Sequence, residues 1–409
     1  MKLNAKINEI EVFLEKILKE PSFKNDISLF TGIGGAPIFF FLLYKYKNDE
    51  SYLNKIDEFI EYFFEYLNNN ENQIGLTYCD GLCGLGQMLN FLHKKNALQS
   101  DPTEALEAID DILYNNIELF LSIVDELPHE KKAEQIDFLH GVFGIAYYLL
   151  SRPKNDNEFK LIRLFDKLAE IVKDGCKLAS CVKDEVEIND SIHKTNLGLA
   201  HGNISYILIL SEFLKIYPEK ENIKDTIKHS AYTVFSFKND DENSNYKFPG
   251  IAINKISAIY DNIHLGWCYG DQTVSFGLYK AGVAINDSFL IEEAQKIAHT
   301  TLNRQELSTA HVFDSEFCHG ASSVAYFHRK WYTITKNESF LSAYNHFLEE
   351  ALKLCSFDGG IAGFKKYDGP NKYRNAIGML DGLIGVGIFL LDAQLNNEEP
   401  DWESFFLLN

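Results

Sequence analysis

Apolar residues recur along this chain in two alternating kinds of stretch. One kind is short and almost wholly apolar, and it follows a glycine-marked turn. These turns begin at Gly32, Gly81, Gly141, Gly202, Gly270, Gly320 and Gly382. The other kind is more polar and carries its apolar residues at helical spacing, as from Ile109 to Val124 and from Glu292 to Leu302. Asp110-Asp111 and Glu292-Glu293 sit near the starts of those helices, where negative charge is favourable. From first glycine to first glycine the steps are 49, 60, 61, 68, 50 and 62 residues, a loose sevenfold repeat. Two helices per unit predict about fourteen helices and few strands, an all-α fold. Inner helices that are apolar nearly all round belong between an outer ring and a central space.

Three stretches leave this pattern. Residues 173–199 form a long polar connection, 237–265 hold an Asn/Asp-rich run and Pro249-Gly250, and 356–378 are rich in glycine and charge. Long connections inside a compact domain are often functional. These lead into the units that carry His201, Cys268 and Asp381, so they are expected to be rim loops over one end of the central space. None has the composition of a flexible linker. The expectation is therefore one catalytic domain spanning 1–409.

Hydrophobic residues make up 46% of the 409, enough for a sizeable core and too many for a disordered chain. The net charge of −20 argues against a nucleic-acid partner, because like charges repel. The seven cysteines show no disulfide framework, which points to a reducing cytosol with thiols free to bind metal. The first twenty residues are charged and amphipathic and lack the features of a signal peptide. The apolar run from Ile38 to Tyr44 is too short to span a bilayer, so no transmembrane segment is expected.

The candidate chemistry lies in Trp267-Cys268-Tyr269-Gly270 and Cys318-His319-Gly320. Zinc binds thiolate sulfur and imidazole nitrogen, and three such ligands leave the open position of a catalytic site. Both cysteines fall at the same phase of their repeat units, at the start of an inner helix, where the N-terminus favours a thiolate. Two thiolates and one imidazole neutralise the ion. Such sulfur-rich zinc is a poor activator of water and keeps a bound thiolate nucleophilic, so the set points to thiol alkylation over hydrolysis.

Three His-Gly doublets occur where composition alone gives about 0.8. The other two place His201 and His140 at the matching point of their units, with Asp137 one turn before Gly141. Histidine moves protons near neutral pH, and Asp137 is suited to orient one or to accept a proton. Trp267 reads as pocket wall or as core. Cys79 and Cys83 have no histidine or carboxylate to complete a ligand set and read as buried thiols. Cys176, Cys181 and Cys355 carry no functional signal. The glycine segments lack the residues of a phosphate-binding loop.

At these residues the chain resembles the lanthionine synthetase C-like (LanC) family, the class I type of lanthipeptide cyclase. The likeness covers essentially the whole chain: the seven glycine motifs, the Gly198 to Gly202 segment around His201, and the Cys268 and Cys318-His319 motifs in this order. It implies an α/α toroid with Zn2+ held by Cys268, Cys318 and His319. It implies that a cysteine thiol of a dehydrated precursor peptide adds to dehydroalanine or dehydrobutyrine and closes a lanthionine or methyllanthionine thioether ring. It gives His201 the acid/base role, matches Asp137 to the family's aspartate and matches Trp267 to its tryptophan.

Two departures from the family stand out. An arginine usually lies three residues before that tryptophan, and here the position is His264, placed among the catalytic candidates as a pH-dependent charge. A small β-containing insertion after the second unit is also expected to be missing, since residues 93–136 read as helical. The resemblance points to a cytoplasmic enzyme, peripheral at most in a membrane-associated biosynthetic complex. Its partners there would be a separate dehydratase and a peptide transporter. Two other readings stay open: an enzyme of the same fold that adds glutathione or cysteine to dehydrated residues in proteins, and a non-catalytic zinc-stabilised toroid that binds peptide.

Overall fold

The computed structural model describes every residue except 1, 21–24, 71–73, 175–193, 242–243, 254–256, 261–263 and 397. Cys176, Cys181 and most of the first predicted rim loop lie outside the described residues. Each of the seven glycine turns leads into one helix: α2 (Ala36–Lys47), α4 (Leu82–Lys94), α7 (Val142–Ser151), α9 (Asn203–Ile216), α11 (Asp271–Ile285), α14 (Ala321–Thr335) and α16 (Leu383–Gln394). These helices are apolar and hidden, as in α16, where every residue from Leu383 to Asp392 is buried. The amphipathic helices alternate with them: α1 (Lys2–Leu14), α3 (Ser51–Asn69), α5 (Thr103–Ile123), α8 (Glu158–Asp174), α10 (Glu221–Phe235), α12 (Ser288–Thr301) and α15 (Glu338–Leu354). In α3, Tyr52, Ile56, Phe59, Ile60 and Phe63 form the buried stripe at helical spacing. Two short helices, α6 (His129–Ile136) and α13 (Leu307–Ala310), complete the set. Helices α5 and α6 fill the interval from Lys95 to Asp137, and no strand occurs there.

The chain divides into two compact units, and α5, α14 and α15 each contribute to both. The first comprises Met1–Leu113, Phe313–Tyr326 and Asn345–Asn409. There α16 packs against α2 and α1, so the last repeat meets the first. The C-terminal 3-10 helix Pro400–Phe406 is part of this core. Trp402 donates to Asp392 at 3.1 Å, and Trp402 and Phe406 both pack on Phe317, the residue before Cys318.

The second unit comprises Tyr114–Val312 and Phe327–Tyr344. Here α9, α10, α11 and α12 pack on their sequence neighbours. The close approach of α11 to α9 depends on Gly277, where a Cβ would lie 2.6 Å from the Ile204 side chain. The first two exceptional stretches meet in a small antiparallel sheet, β1 (Lys194–Asn196), β2 (Ile251–Ile253) and β3 (Ser257–Tyr260), with Thr195 opposite Ala252. The third forms the hairpin β4 (Lys366–Gly369) and β5 (Lys372–Arg374) in the first unit.

Candidate metal centre

The glycine turns share one local device. Each curls back, so that a Cβ at the first glycine would strike atoms four to six residues earlier. At Gly202 and Gly320 the obstacle includes the carbonyl or carboxylate oxygen of Asn196 and Asp314. Those side chains accept from the backbone N–H of Gly198 and Glu316 at 2.9 and 3.0 Å, a local turn that asparagine and aspartate favour. Gly270 also has φ +97°, which only glycine adopts without strain.

The turns are bonded to one another through the backbone position that carries the cysteines. Phe317 N and Cys318 N both donate to Leu380 O, Leu380 N donates to Phe30 O, and Phe30 N donates to Cys79 O. In the other unit Leu199 N donates to Cys268 O at 2.8 Å, which seats the His201 turn beside the Cys268 backbone. Cys268 and Cys318 lie in these turns, three residues ahead of α11 and α14, and thus just outside the helix ends where the sequence placed them.

Cys268, Cys318 and His319 each offer one ligand atom within 4.8 Å of the other two, the only such cluster among the described residues. Around tetrahedral zinc such donors stand about 3.6–3.8 Å apart, so the set needs only modest closure. Burial disfavours charge on His319, but the Glu316 carboxylate and the Cys318 sulfur outweigh it and raise the imidazole well above its ordinary value. The pocket therefore favours a positive charge beside these groups, as a bound cation would supply. Donor types and charge both fit zinc.

The surroundings of the Cys318 turn are acidic and enclosed. Glu316 is fully buried and its Oε1 lies 2.8 Å from His319 Nε2. Burial, then the charge of Glu316, pushes the Asp314 carboxyl up to about 7. Asp314 Oδ2 accepts from Tyr367 N at 2.6 Å, which ties β4 to the turn. Lys366 pairs with Asp381 at 2.6 Å, and the Asp381 and Glu316 charges raise it against the effect of burial.

The second unit holds the other predicted residues. His201 Nδ1 lies 2.8 Å from Asp137 Oδ2, while Asp137 Oδ1 accepts from His140 N at 2.8 Å. Burial would raise the Asp137 carboxyl, but the bond to His201 and the nearby imidazoles outweigh it and hold it below the usual range. The His140 ring stacks on that of His201, 5.7 Å between centroids. His264 Nε2 lies 3.5 Å from Cys268 Sγ. Trp267 is 0% exposed, and its backbone carbonyl accepts from the Thr273 hydroxyl. Asp271 accepts from the backbone N–H of Lys247 and Phe248, which bolts the second long loop to the start of α11.

The remaining described cysteines, Cys79, Cys83 and Cys355, are buried. Burial raises Cys83 well above the ordinary thiol range and Cys355 to about 11. Neither is poised as a thiolate.

The sequence matches the lanthionine synthetase C-like protein family over residues 24–407. The chain belongs to that family. A relative, the nisin biosynthesis protein NisC of Lactococcus lactis subsp. lactis, is 23% identical over 404 residues, 94% of this chain and 89% of its own length. The solved structure of nisin cyclase matches with a TM-score of 0.78 at 18% identity, covering 98% of this chain and 97% of that one. The fold of this lanthionine synthetase C-like chain is accordingly the α/α toroid that the resemblance implied. Among the described residues, no helix is long and apolar enough to cross a membrane.

Sequence reasoning missed several groups around the site. Asn196 holds the His201 turn and donates to the Tyr269 hydroxyl at 3.1 Å. Asp314 and Glu316 frame the Cys318 turn. The available signal was position: Glu316 stands four residues before its glycine, as Asp137 does before Gly141.

Proposed function

We propose that this lanthionine synthetase C-like chain is a zinc-dependent lanthipeptide cyclase, one catalytic domain over 1–409 with Cys268, Cys318 and His319 as metal ligands. The clustering of two thiols and an imidazole carries the reading. The His201–Asp137 pair, in a turn bonded to the Cys268 carbonyl, supports it. Zinc held by such a set would acidify a peptide thiol and keep it nucleophilic as a thiolate. The substrate on this reading is a dehydrated precursor peptide, in keeping with relatives named for nisin biosynthesis and nisin cyclisation.

In the reaction one C–S bond forms at the β-carbon of dehydroalanine or dehydrobutyrine. The Cα–Cβ double bond becomes single and its electron pair passes to Cα. His201 is oriented through Nδ1 by Asp137, which leaves Nε2 to move protons. It takes up the thiol proton and delivers one to Cα. The buried Asp137 stabilises the imidazolium formed in between. His264 beside Cys268 replaces the family's usual arginine with a charge that varies with pH, and Trp267 holds the Cys268 turn rigid. The dehydrated peptide would come from a separate dehydratase in the cytoplasm, with export of the product left to a transporter.

Zinc analysis combined with a cyclisation assay on a dehydrated peptide tests this reading. Cys318→Ala should lose both most of its zinc and thioether formation. Full zinc and full cyclisation in that variant would sink the ligand assignment. Zinc bound by the wild type without any product would favour a binding toroid.

A further inference from the structure

We propose that the β4–β5 hairpin is a docking surface for an extended segment of the substrate peptide, one with apolar side chains between acidic ones. The inference rests on the peptide-cyclase reading. It adds a place outside the metal centre where this chain holds its substrate.

Four aromatic rings run in one row across the hairpin. Phe313 stacks on Tyr367 with 4.4 Å between centroids, Tyr367 meets Tyr373 at 5.5 Å, and Tyr373 meets Phe357 at 4.6 Å. Tyr367 and Tyr373 stand opposite each other on the two strands, so they share one face. Aromatic contacts of this kind belong to cores and interfaces. None of these four rings is buried, and Phe313 and Tyr373 are 41% and 37% exposed. A contiguous apolar patch rimmed by polar groups marks an interaction site. Every residue of β5 is exposed, and no strand but β4 pairs with it among the described residues.

Charge selects the occupant. The whole chain carries −20, yet residues 365–374 hold Lys365, Lys366, Lys372 and Arg374 against Asp368 alone. Two of these cations hold the hairpin in place: Lys366 pairs with Asp381 at 2.6 Å and Arg374 with Asp368 at 2.8 Å. Lys365 and Lys372 make no ion pair among the described residues. Lys365 stands at the base of the hairpin and Lys372 at its turn, opposite Gly369, with the Tyr367–Tyr373 pair between them. A fitting occupant has apolar side chains for the rings and carboxylates toward its ends. Continuity with the candidate site makes that occupant the substrate. Asp314 accepts from Tyr367 N through one oxygen and from Glu316 N through the other. Lys366 is anchored on Asp381, and the preceding residue, Leu380, accepts from Cys318 N. A peptide on the hairpin is therefore held beside the turn that carries Cys318 and His319.

Fluorescence anisotropy of the full chain tests this with a short labelled peptide, a leucine-containing stretch flanked by glutamates. The same stretch flanked by lysines is the control. The wild type should bind the glutamate peptide in preference to the lysine peptide, and more weakly as salt rises. The double variant Lys365→Glu, Lys372→Glu should bind it about tenfold more weakly, and Tyr373→Ala several-fold more weakly. In the cyclisation assay the double variant should keep its zinc and its kcat and show a raised KM for the dehydrated peptide. Equal binding of the two peptides, or wild-type affinity in a double variant that circular dichroism shows to be folded, would overturn the proposal. A wild type that sediments with phosphatidylserine vesicles and binds neither peptide would make the hairpin a membrane contact. A dimer that the double variant dissolves would make it a contact between copies. Either result also overturns the proposal. Cyclisation with an unchanged KM in the double variant would remove this inference alone. Glutamate-peptide binding without any cyclisation would remove the cyclase reading and leave the peptide surface standing.

Discussion

Two carboxylate–histidine pairs, one in each compact unit, use the same parts in opposite senses. Asp137 meets His201 at Nδ1, and Glu316 meets His319 at Nε2, each at 2.8 Å. Both carboxylates are almost wholly buried, and both stand four residues before the first glycine of a repeat turn. The difference lies in which turn each carboxylate serves and how it meets the ring. Asp137 hydrogen-bonds the histidine of the next turn, whereas Glu316 faces the histidine of its own turn at ion-pair distance without a hydrogen bond. On the proposed reading the first pair serves proton transfer and the second lies beside a metal ligand.

The largest expected contrast separates the two histidines. His319→Ala should lose zinc and cyclisation together. His201→Asn should keep full zinc while cyclisation slows by about 10²–10⁴-fold, the range for loss of a general acid/base. Zinc analysis beside a single-turnover rate decides this, and a His201 variant that loses zinc would erase the distinction. A smaller effect belongs to Asp137→Asn, which should retain zinc and slow cyclisation less than His201→Asn. It should also change acid stability. The folded Asp137 carboxyl lies below its ordinary value, so the native state binds its proton less readily than the unfolded chain does. Its contribution is full above the ordinary carboxylate range, about pH 4, and is lost as pH falls through the lowered value. Unfolding curves of wild type and Asp137→Asn should therefore differ at neutral pH and converge in acid; a constant gap would refute the linkage. The smallest effect is that of His140, whose ring stacks on His201. His140→Ala should slow cyclisation by only a few-fold, about 1 kcal/mol for a lost ring contact, with zinc unchanged. A loss as large as that of His201→Asn would make His140 a chemical partner.

Much of the site was legible because the repeat sets a phase. Cys268 and Cys318 both stand two residues before a glycine, and that coincidence pointed to one metal. Cys79 stands at the same phase, and this shows where the rule stops. Its turn is bonded to the one that brings Phe30 to the matching place, and Phe30 offers no donor atom. A thiol becomes a ligand only when a second turn presents another donor, and no single turn encodes its neighbour. Glu316 was passed over for a similar reason. One glutamate among many carboxylates is unremarkable until folding removes all its exposed surface and sets it against an imidazole. Trp267 was open between pocket wall and core, and its burial was decided by packing that the apolar pattern around it cannot resolve.

The amino-acid sequence by itself determined the all-α class, the sevenfold alternation of inner and outer helices, and the two cysteine turns. These follow from local physics: apolar spacing selects helices, and glycine permits turns that curl back on themselves. Tertiary structure alone decided which turns meet. It chose Cys268 and Cys318 and left Cys79 aside, joined Asp137 to a histidine 64 residues away, and buried Glu316 against His319. The reason is that donor atoms and buried charges act over a few ångströms, whereas the repeat specifies only a direction and a phase. The distances that turn a phase into chemistry come from packing one turn against another.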